Sequence, residues 1–192
     1  MKRFTIILII FFISLPSYSE NHVVTYGTKS PDTKINIKIY SSLTCPYCPE
    51  LHIKFLPSLT KKYVENKVAY IELHDYPLDQ GGLIAAQLQK CFTLEQQKKY
   101  LDLVYKTQSE WSTAKTLKEL KNNLYKLTNT LGLGKSKFDG CLSNKNFESK
   151  VLKSRINAQN KYDINSTPTL IINEKKYKGS FKNIDKYIQK LL

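Results

Sequence analysis

Residues 35–48 read INIKIYSSLTCPYC, and this stretch decides the fold. Isoleucine alternates with other residues from Ile35 to Ile39, which is the period of a β-strand. The chain then turns and reaches Cys45 and Cys48, which are separated by two residues. The stretch therefore predicts a strand that delivers a pair of cysteines to the start of the next element.

A helix and a second strand are predicted directly after the cysteines. Apolar residues recur about once per helical turn from residue 46 to about residue 65, with Pro57 inside the helix as a kink. Residues 68–73 then have the character of a second strand. The order strand, helix, strand with a short return favours a parallel pair of strands in an α/β sheet.

The middle of the chain, residues 78–162, shows almost no strand pattern and is predicted to be helical. Its clearest segment has leucines three or four residues apart, the spacing of one helix face, at Leu117, Leu120, Leu124, Leu127 and Leu131. Gly132 and Gly134 are predicted to end this helix. Another helix is predicted to begin at about Asn146.

Strand character returns only at residues 169–173 and again near Tyr177, and a closing helix follows. We therefore predict one sheet domain formed by residues 20–78 and 163–192, with residues 79–162 as an inserted helical domain. Residues 20–34 are predicted to be a polar segment that leads into the first strand. At 192 residues the chain has room for one such fold with an insertion.

The first residues have the pattern of a secretory signal peptide. Lys2 and Arg3 precede an apolar run over residues 4–15, and small residues follow it. We expect residues 1–19 to be a signal peptide cleaved after Ser19. The mature protein is then expected to be soluble in the periplasm, where disulfides persist. The alternative is an uncleaved anchor, although the apolar run is short for a bilayer.

The chain is strongly basic, with 30 lysines and arginines against 16 acidic residues. Nucleic-acid recognition would favour clustered arginines and interleaved aromatic residues on one face. Beyond the predicted signal peptide, Arg155 is the single arginine, and the lysines are scattered. We therefore expect solvated helix faces and no nucleic-acid partner.

The two cysteines carry the predicted chemistry. A thiol at a helix N-cap faces unpaired backbone N–H groups and the positive end of the helix dipole, and both favour the thiolate. Cys45 is therefore the expected nucleophile, and Cys48 would attack a mixed disulfide and release the client. The alternatives are an inert bridge and half of a metal site. Because His22, His52 and His74 show no zinc-ligand spacing, we predict no metal and no other cofactor.

Four segments of the chain are distinctive when they are taken together. They are SLTCPYC at 42–48, DYPLD at 75–79, FDGCL at 138–142 and STPTL at 166–170. In this combination the chain resembles the DsbA-like family of periplasmic thiol:disulfide oxidoreductases, in its alphaproteobacterial branch. The resemblance covers essentially the whole mature chain and implies a thioredoxin fold with a helical insertion.

The resemblance also implies roles for residues around the cysteines. In the family a cis-proline lies against the active-site disulfide, and the backbone of its neighbour binds the client chain. Here these residues are Pro168 and Thr167. The dipeptide Pro46-Tyr47 is like that of glutaredoxins, whereas many relatives have Pro-His. Because the dipeptide adjusts the pKa of the nucleophile, the redox potential does not follow from the resemblance.

A second pair of cysteines, Cys91 and Cys141, lies in the predicted helical insertion. The similar alphaproteobacterial branch carries a non-catalytic bridge at matching positions. The resemblance therefore implies a structural disulfide between these two residues. Two buried free thiols are the alternative.

The proton of Cys48 lacks the acceptor that many similar proteins provide. They place a buried acid six residues before the first cysteine, and here that residue is Ile39. Deprotonation of Cys48 would then rely on solvent, the helix dipole or His52, which follows four residues later. Simple packing is the alternative role for His52.

These expectations describe a monomeric oxidase that donates its disulfide to reduced exported client proteins. A DsbB-like membrane oxidase would reoxidise it. The enzymatic alternative is a periplasmic reductase or isomerase kept reduced by a membrane electron donor, which the threonine at Thr167 keeps open. The non-enzymatic alternative is a metal-handling or chaperone module that uses the same thiols.

Overall fold

The computed structural model describes residues 23–192, so the predicted signal peptide lies outside the described residues. Within this part of the chain, five strands form one mixed sheet in the order β1-β3-β2-β4-β5. They are β1 Val24–Tyr26, β2 Ile35–Ser41, β3 Ala69–Asp75, β4 Thr169–Ile172 and β5 Lys175–Lys176. β2 and β3 run parallel, which confirms the predicted pair, and the other neighbours are antiparallel.

Helices account for most of the remaining described chain. The helix after the cysteines, α1, covers residues 48–64. The others are α2 Gln80–Gln89, α3 Leu94–Lys106, α4 Gln108–Trp111, α5 Leu117–Thr130, α6 Lys135–Ser143, α7 Lys145–Tyr162 and α8 Ile184–Gln189. Because α2 to α7 all lie between β3 and β4, the structure confirms an α/β fold with a helical insertion. The limits of the two predicted domains stay a prediction.

The helix α1 differs from the prediction in its start and in its winding. It begins at Cys48 rather than at residue 46, because residues 46 and 47 form a turn. Two α-helical segments, Cys48–Glu50 and Leu56–Leu59, alternate with wider π-helical segments, Leu51–Phe55 and Thr60–Val64. The predicted irregularity at Pro57 falls beside the first π segment, because proline has no N–H to continue the α-helical pattern.

The central strand β2 explains why the isoleucines alternate. Ile35, Ile37 and Ile39 are at most 2% exposed and pack into one core with α1 and α8. On the opposite face, Lys38 donates a hydrogen bond to the Tyr162 hydroxyl at 3.0 Å and pairs with Glu174. The strand therefore has one apolar face and one face on which Glu174 neutralises the charge of Lys38.

Two elements, β1 and α6, were not predicted. Residues 24–26, part of the predicted polar segment, form β1 against β3, and Val24 is fully buried. A strand of three residues is too short to show an alternating pattern. The helix predicted near Asn146 begins at Lys145, and α6 precedes it. Within α6 only Phe138 and Cys141 are buried, so its apolar periodicity is weak.

The helical insertion has its own apolar core, and this core reaches the two active-site candidates. Cys45 and Cys48 belong to the same buried cluster as Leu88, Tyr100 and Trp111. Trp111 is fully buried, and its Nε1–H donates to the Val104 carbonyl at 2.9 Å. The side chains of the two cysteines therefore pack against the core of the insertion.

Within residues 23–192, no helix combines the length and the apolar character that crossing a bilayer requires.

Cys91 and Cys141 form a disulfide that joins the end of α2 to α6, with their Cα atoms 6.1 Å apart. The side chain of Gln87 reinforces this connection. Its Nε2 donates to the carbonyl oxygens of Cys141 and Leu142 at 3.0 and 3.1 Å and to that of Asn144 at 3.2 Å. The disulfide and Gln87 together thus join α2 to α6 and to the start of α7.

Replacing both Cys91 and Cys141 with serine should lower the melting temperature without abolishing thiol exchange. A bridge between residues 50 positions apart stabilises by up to about 4 kcal/mol on the chain-entropy model, which corresponds to roughly 10 °C for a chain of this size. Calorimetry measures the shift. Loss of dithiol oxidase activity in a double variant that still folds would contradict a purely structural role.

Candidate active site

The cysteine pair lies where β2 gives way to α1. The Cys45 N–H donates to the Ser42 carbonyl, and the Cys48 N–H donates to the Cys45 carbonyl, both at 3.2 Å. These two bonds wind the chain helically before the regular helix begins. The Cys45 side chain consequently lies at the N-terminal end of α1, facing backbone N–H groups that have no partner within the helix.

Both thiols are buried, although the turn between them is not. Cys45 is 3% and Cys48 is 1% exposed, whereas Tyr47 is 71% exposed. The two sulfurs are free thiols. A partner that reaches Cys45 must therefore contact the exposed Tyr47 and the surface around it.

The surroundings of Cys45 lower the pKa of its thiol to about 5. The main cause is a hydrogen bond from the Cys48 thiol, and the Thr167 side chain and the backbone N–H groups of Tyr47 and Cys48 add to it. Burial opposes the shift, because it disfavours any charged sulfur. The donors outweigh the burial, so the Cys45 thiolate is the stable form at neutral pH.

The pKa of Cys48 moves in the opposite direction. Burial raises it, and the hydrogen bond to Cys45 together with the charge of the Cys45 thiolate raises it further. A second negative charge beside the first is unfavourable in a buried site. The pair therefore divides its roles: Cys45 carries the charge, and Cys48 holds the proton.

Residues 167 and 168 lie beside the pair, directly before β4. The Thr167–Pro168 peptide bond is cis, the geometry that the resemblance implied for Pro168. The Cys45 thiol lies 3.2 Å from the Thr167 carbonyl oxygen, to which it can donate. After ionisation the sulfur can only accept a hydrogen bond. The buried Thr167 hydroxyl forms no hydrogen bond to a nitrogen or oxygen atom of residues 23–192. It can therefore donate to the Cys45 thiolate.

Gln108 on α4 holds the turn from the side of the insertion. Its Nε2 donates to the carbonyl oxygens of Leu43 and Cys45 at 2.8 and 2.9 Å. These two carbonyls belong to the residues on either side of Thr44. One side chain therefore fixes the path of the turn. Trp111, at the other end of α4, is fully buried and anchors this short helix.

Comparison with known proteins then places the chain in a family. A family model described as "Thioredoxin" matches residues 20–190. The chain belongs to this thioredoxin family. Among solved structures it is similar to alpha-DsbA1 of Wolbachia pipientis, with 25% identity, a TM-score of 0.77 and coverage of 94% of this chain and 93% of that one. The predicted DsbA-like resemblance is confirmed.

Two further relatives agree with this assignment. A protein-disulfide isomerase of Novosphingobium aromaticivorans shares the fold with a TM-score of 0.79, at 19% identity over 88% of this chain and 97% of that one. A Rickettsia bellii protein, described by its name as a protein-disulfide oxidoreductase, is 31% identical over 131 residues. That match covers 65% of this chain and 46% of the relative, so the chain matches less than half of the length of that protein.

In this thioredoxin-family chain, the structure brings together most of the predicted site. Cys45, Cys48 and Thr167 meet as described, with Pro168 directly after Thr167. Pro46 and Tyr47 form the exposed turn between the cysteines. Cys91 and Cys141 are bonded to each other within the insertion. The catalytic and supporting roles of these residues stay a prediction.

The sequence alone did not indicate Gln108. It stands in a polar stretch, and the carbonyls it binds are 63 and 65 positions away in the chain. No local pattern marks such a contact.

No three His, Cys, Asp or Glu side chains between residues 23 and 192 lie close enough together to hold a metal ion.

Gln108→Ala should raise the pKa of Cys45 and destabilise the protein by about 1–2 kcal/mol, because two carbonyls lose a donor and the turn that aims N–H groups at the sulfur is freed. Thiolate absorbance as a function of pH measures the first effect, and chemical denaturation measures the second. Ser109→Ala, at the exposed neighbouring position, is the matched control. An unchanged Cys45 titration in folded Gln108→Ala would show that the turn holds its shape without this side chain.

Proposed function

We propose that this protein is an exported thiol:disulfide oxidoreductase that introduces disulfides into reduced exported proteins at Cys45 and Cys48. The observation that carries the proposal is the depressed pKa of the Cys45 thiol, about 5. Each tenfold gain in acidity stabilises the thiolate by about 1.4 kcal/mol. Because only the reduced protein has a thiolate, this stabilisation favours the reduced form. A protein whose reduced form is stabilised is an oxidant.

The reaction begins with the Cys45–Cys48 disulfide. A client thiolate attacks the Cys45 Sγ, a client–Cys45 disulfide forms, and Cys48 leaves and takes up a proton. A second client thiolate then attacks the client sulfur of this mixed disulfide and releases Cys45 as a thiolate. The client loses two electrons and gains a disulfide, and the protein gains the two electrons as a dithiol. The low pKa of Cys45 speeds the second step, since it makes Cys45 a good leaving group.

The surface around Cys45 suits a protein substrate. Tyr47 offers an exposed aromatic ring beside the thiol. On the other side, the segment at Thr167 and Pro168 lies within 3.2 Å of the sulfur. An extended client chain can contact this segment while its cysteine meets Cys45. We propose that the oxidase works in the periplasm as a monomer and that a DsbB-like membrane oxidase returns its disulfide.

Cys48→Ala should trap mixed disulfides at Cys45, because the thiol that resolves them is gone. The reduced variant mixed with glutathione disulfide should retain one glutathione, detected by mass spectrometry and removed by reductant. Cys45→Ala is the matched control and should retain none. The pKa of Cys45 is about 5 in the wild type and should be higher in Cys48→Ala, because the variant lacks the main donor to Cys45. The rate of the glutathione disulfide reaction as a function of pH measures this difference. Trapping by Cys45→Ala instead would reverse the assigned roles.

A further inference from the structure

A small chamber lies between α1, α3, β2 and β3. Its volume is about 20 Å³, enough for one water molecule. Its polar lining consists of Ser41, His52, His74, Asp75, Gln89 and Tyr105. The Oε1 atom of Gln89 is buried and has no hydrogen-bond partner among residues 23–192. An unpartnered acceptor in a chamber of this size indicates a site for a bound water.

His52 enters this chamber from α1, and its ring is held by a carboxylate. The side chain is 6% exposed, and Nε2 lies 2.8 Å from Oδ1 of Asp102, whose own side chain is 55% exposed. Because a carboxylate only accepts hydrogen bonds, Nε2 carries the proton in the neutral ring. Nδ1 then has the lone pair and is available as a base.

Tyr105 contacts His52 and also interacts with both cysteines. The His52 ring packs on Tyr105, with the ring centroids 4.7 Å apart. Tyr105 and Ser41 both line the chamber, and the Tyr105 hydroxyl interacts electrostatically with Ser41, Cys48 and Cys45. His52 also follows Cys48 by four residues on α1, which places the two side chains on neighbouring turns of one face.

We propose that His52, oriented by Asp102, accepts and returns the proton of Cys48 across this chamber, through the hydroxyls of Ser41 and Tyr105 and one water. The inference rests on the proposed function, since Cys48 must lose its proton whenever it resolves a mixed disulfide. Ile39, which also lines the chamber, offers no acid there.

Reoxidation of the protein by a partner starts from a mixed disulfide. Cys45 is first bonded to a partner sulfur, and Cys48 carries its proton. The proton passes to Nδ1 of His52, and the Cys48 thiolate attacks the Cys45 Sγ. The Cys45–Cys48 bond forms, the bond from Cys45 to the partner breaks, and the partner leaves as a thiolate with the electron pair. His52 then gives its proton to water at the surface.

The other charged groups around His52 are consistent with a neutral base. Burial lowers the pKa of His52, while the hydrogen bond and the charge of Asp102 raise it and Lys106 on α3 lowers it. Burial is the largest of these effects, so the ring is neutral at neutral pH.

The remaining titratable groups of the chamber are already engaged elsewhere. Asp75 pairs with Lys90. His74 is hydrogen-bonded to Glu72 and stacked on Tyr40. Each of these groups therefore has a partner, whereas Nδ1 of His52 has no hydrogen-bond partner among residues 23–192.

Stopped-flow mixing of the reduced full-length protein with glutathione disulfide separates the two steps. The first phase forms the Cys45–glutathione disulfide, and the second releases glutathione as Cys48 attacks. His52→Gln should leave the first phase unchanged and slow the second by about 100-fold at neutral pH. The remaining rate should rise steadily with pH, because solvent must then deprotonate Cys48. His74→Gln, the matched control, should keep both phases.

The outcomes distinguish this inference from the proposed function. Absence of the first phase in the wild type would contradict the oxidoreductase itself. A normal first phase with an unchanged second phase in His52→Gln, or slowing by His74→Gln instead, would overturn the inference alone. If His52→Gln does not fold, Asp102→Asn tests the inference instead. The Asp102 side chain is half-exposed, so this substitution should leave the fold intact. It should slow the second phase, Asp102→Glu should restore it, and a wild-type pH profile in Asp102→Asn would overturn the inference.

Discussion

The hydrogen bond from the Cys48 thiol to the Cys45 sulfur is the interaction on which the proposed chemistry depends. It is the largest cause of the lowered Cys45 pKa, and the same contact helps to keep the proton on Cys48. Two thiols that are equally buried thereby become chemically unequal. The inequality gives the site a stable thiolate at Cys45 and a protonated thiol at Cys48. Attack, departure and resolution can then proceed in a fixed order at one pair of sulfurs.

The fold maintains this contact by holding the turn from three directions. The isoleucine face of β2 fixes the strand that leads to it, and Gln108 binds two carbonyls of the turn from the insertion. Thr167 approaches from the start of β4. Because these supports come from separate parts of the chain, the turn keeps its shape only in the folded protein. The helical insertion is therefore part of the active site as well as its cover.

Local patterns in the sequence predicted the elements that repeat over several residues. The alternation of isoleucines predicted β2, and the leucine spacing predicted α5. The strand β1 has only three residues, and α6 buries few side chains, so neither gave a period to detect. The contacts of Gln108 and the pairing of His52 with Asp102 join positions about 50 to 65 apart. Such contacts exist only after the chain folds, which is why the cysteine motif and the Thr167–Pro168 segment could be predicted and the contacts of Gln108 and Asp102 could not.

The central claim is that thiolate stabilisation makes the Cys45–Cys48 disulfide an oxidant, and its equilibrium potential against glutathione tests this most directly. The measurement needs the full-length mature protein and a redox buffer in which only this pair exchanges. The account predicts a potential nearer to about −120 mV, as in strong periplasmic oxidants, than to about −270 mV, as in cytosolic thioredoxin. A potential near the lower value would contradict the account and would indicate a reductase, in which electrons flow from the protein to its clients.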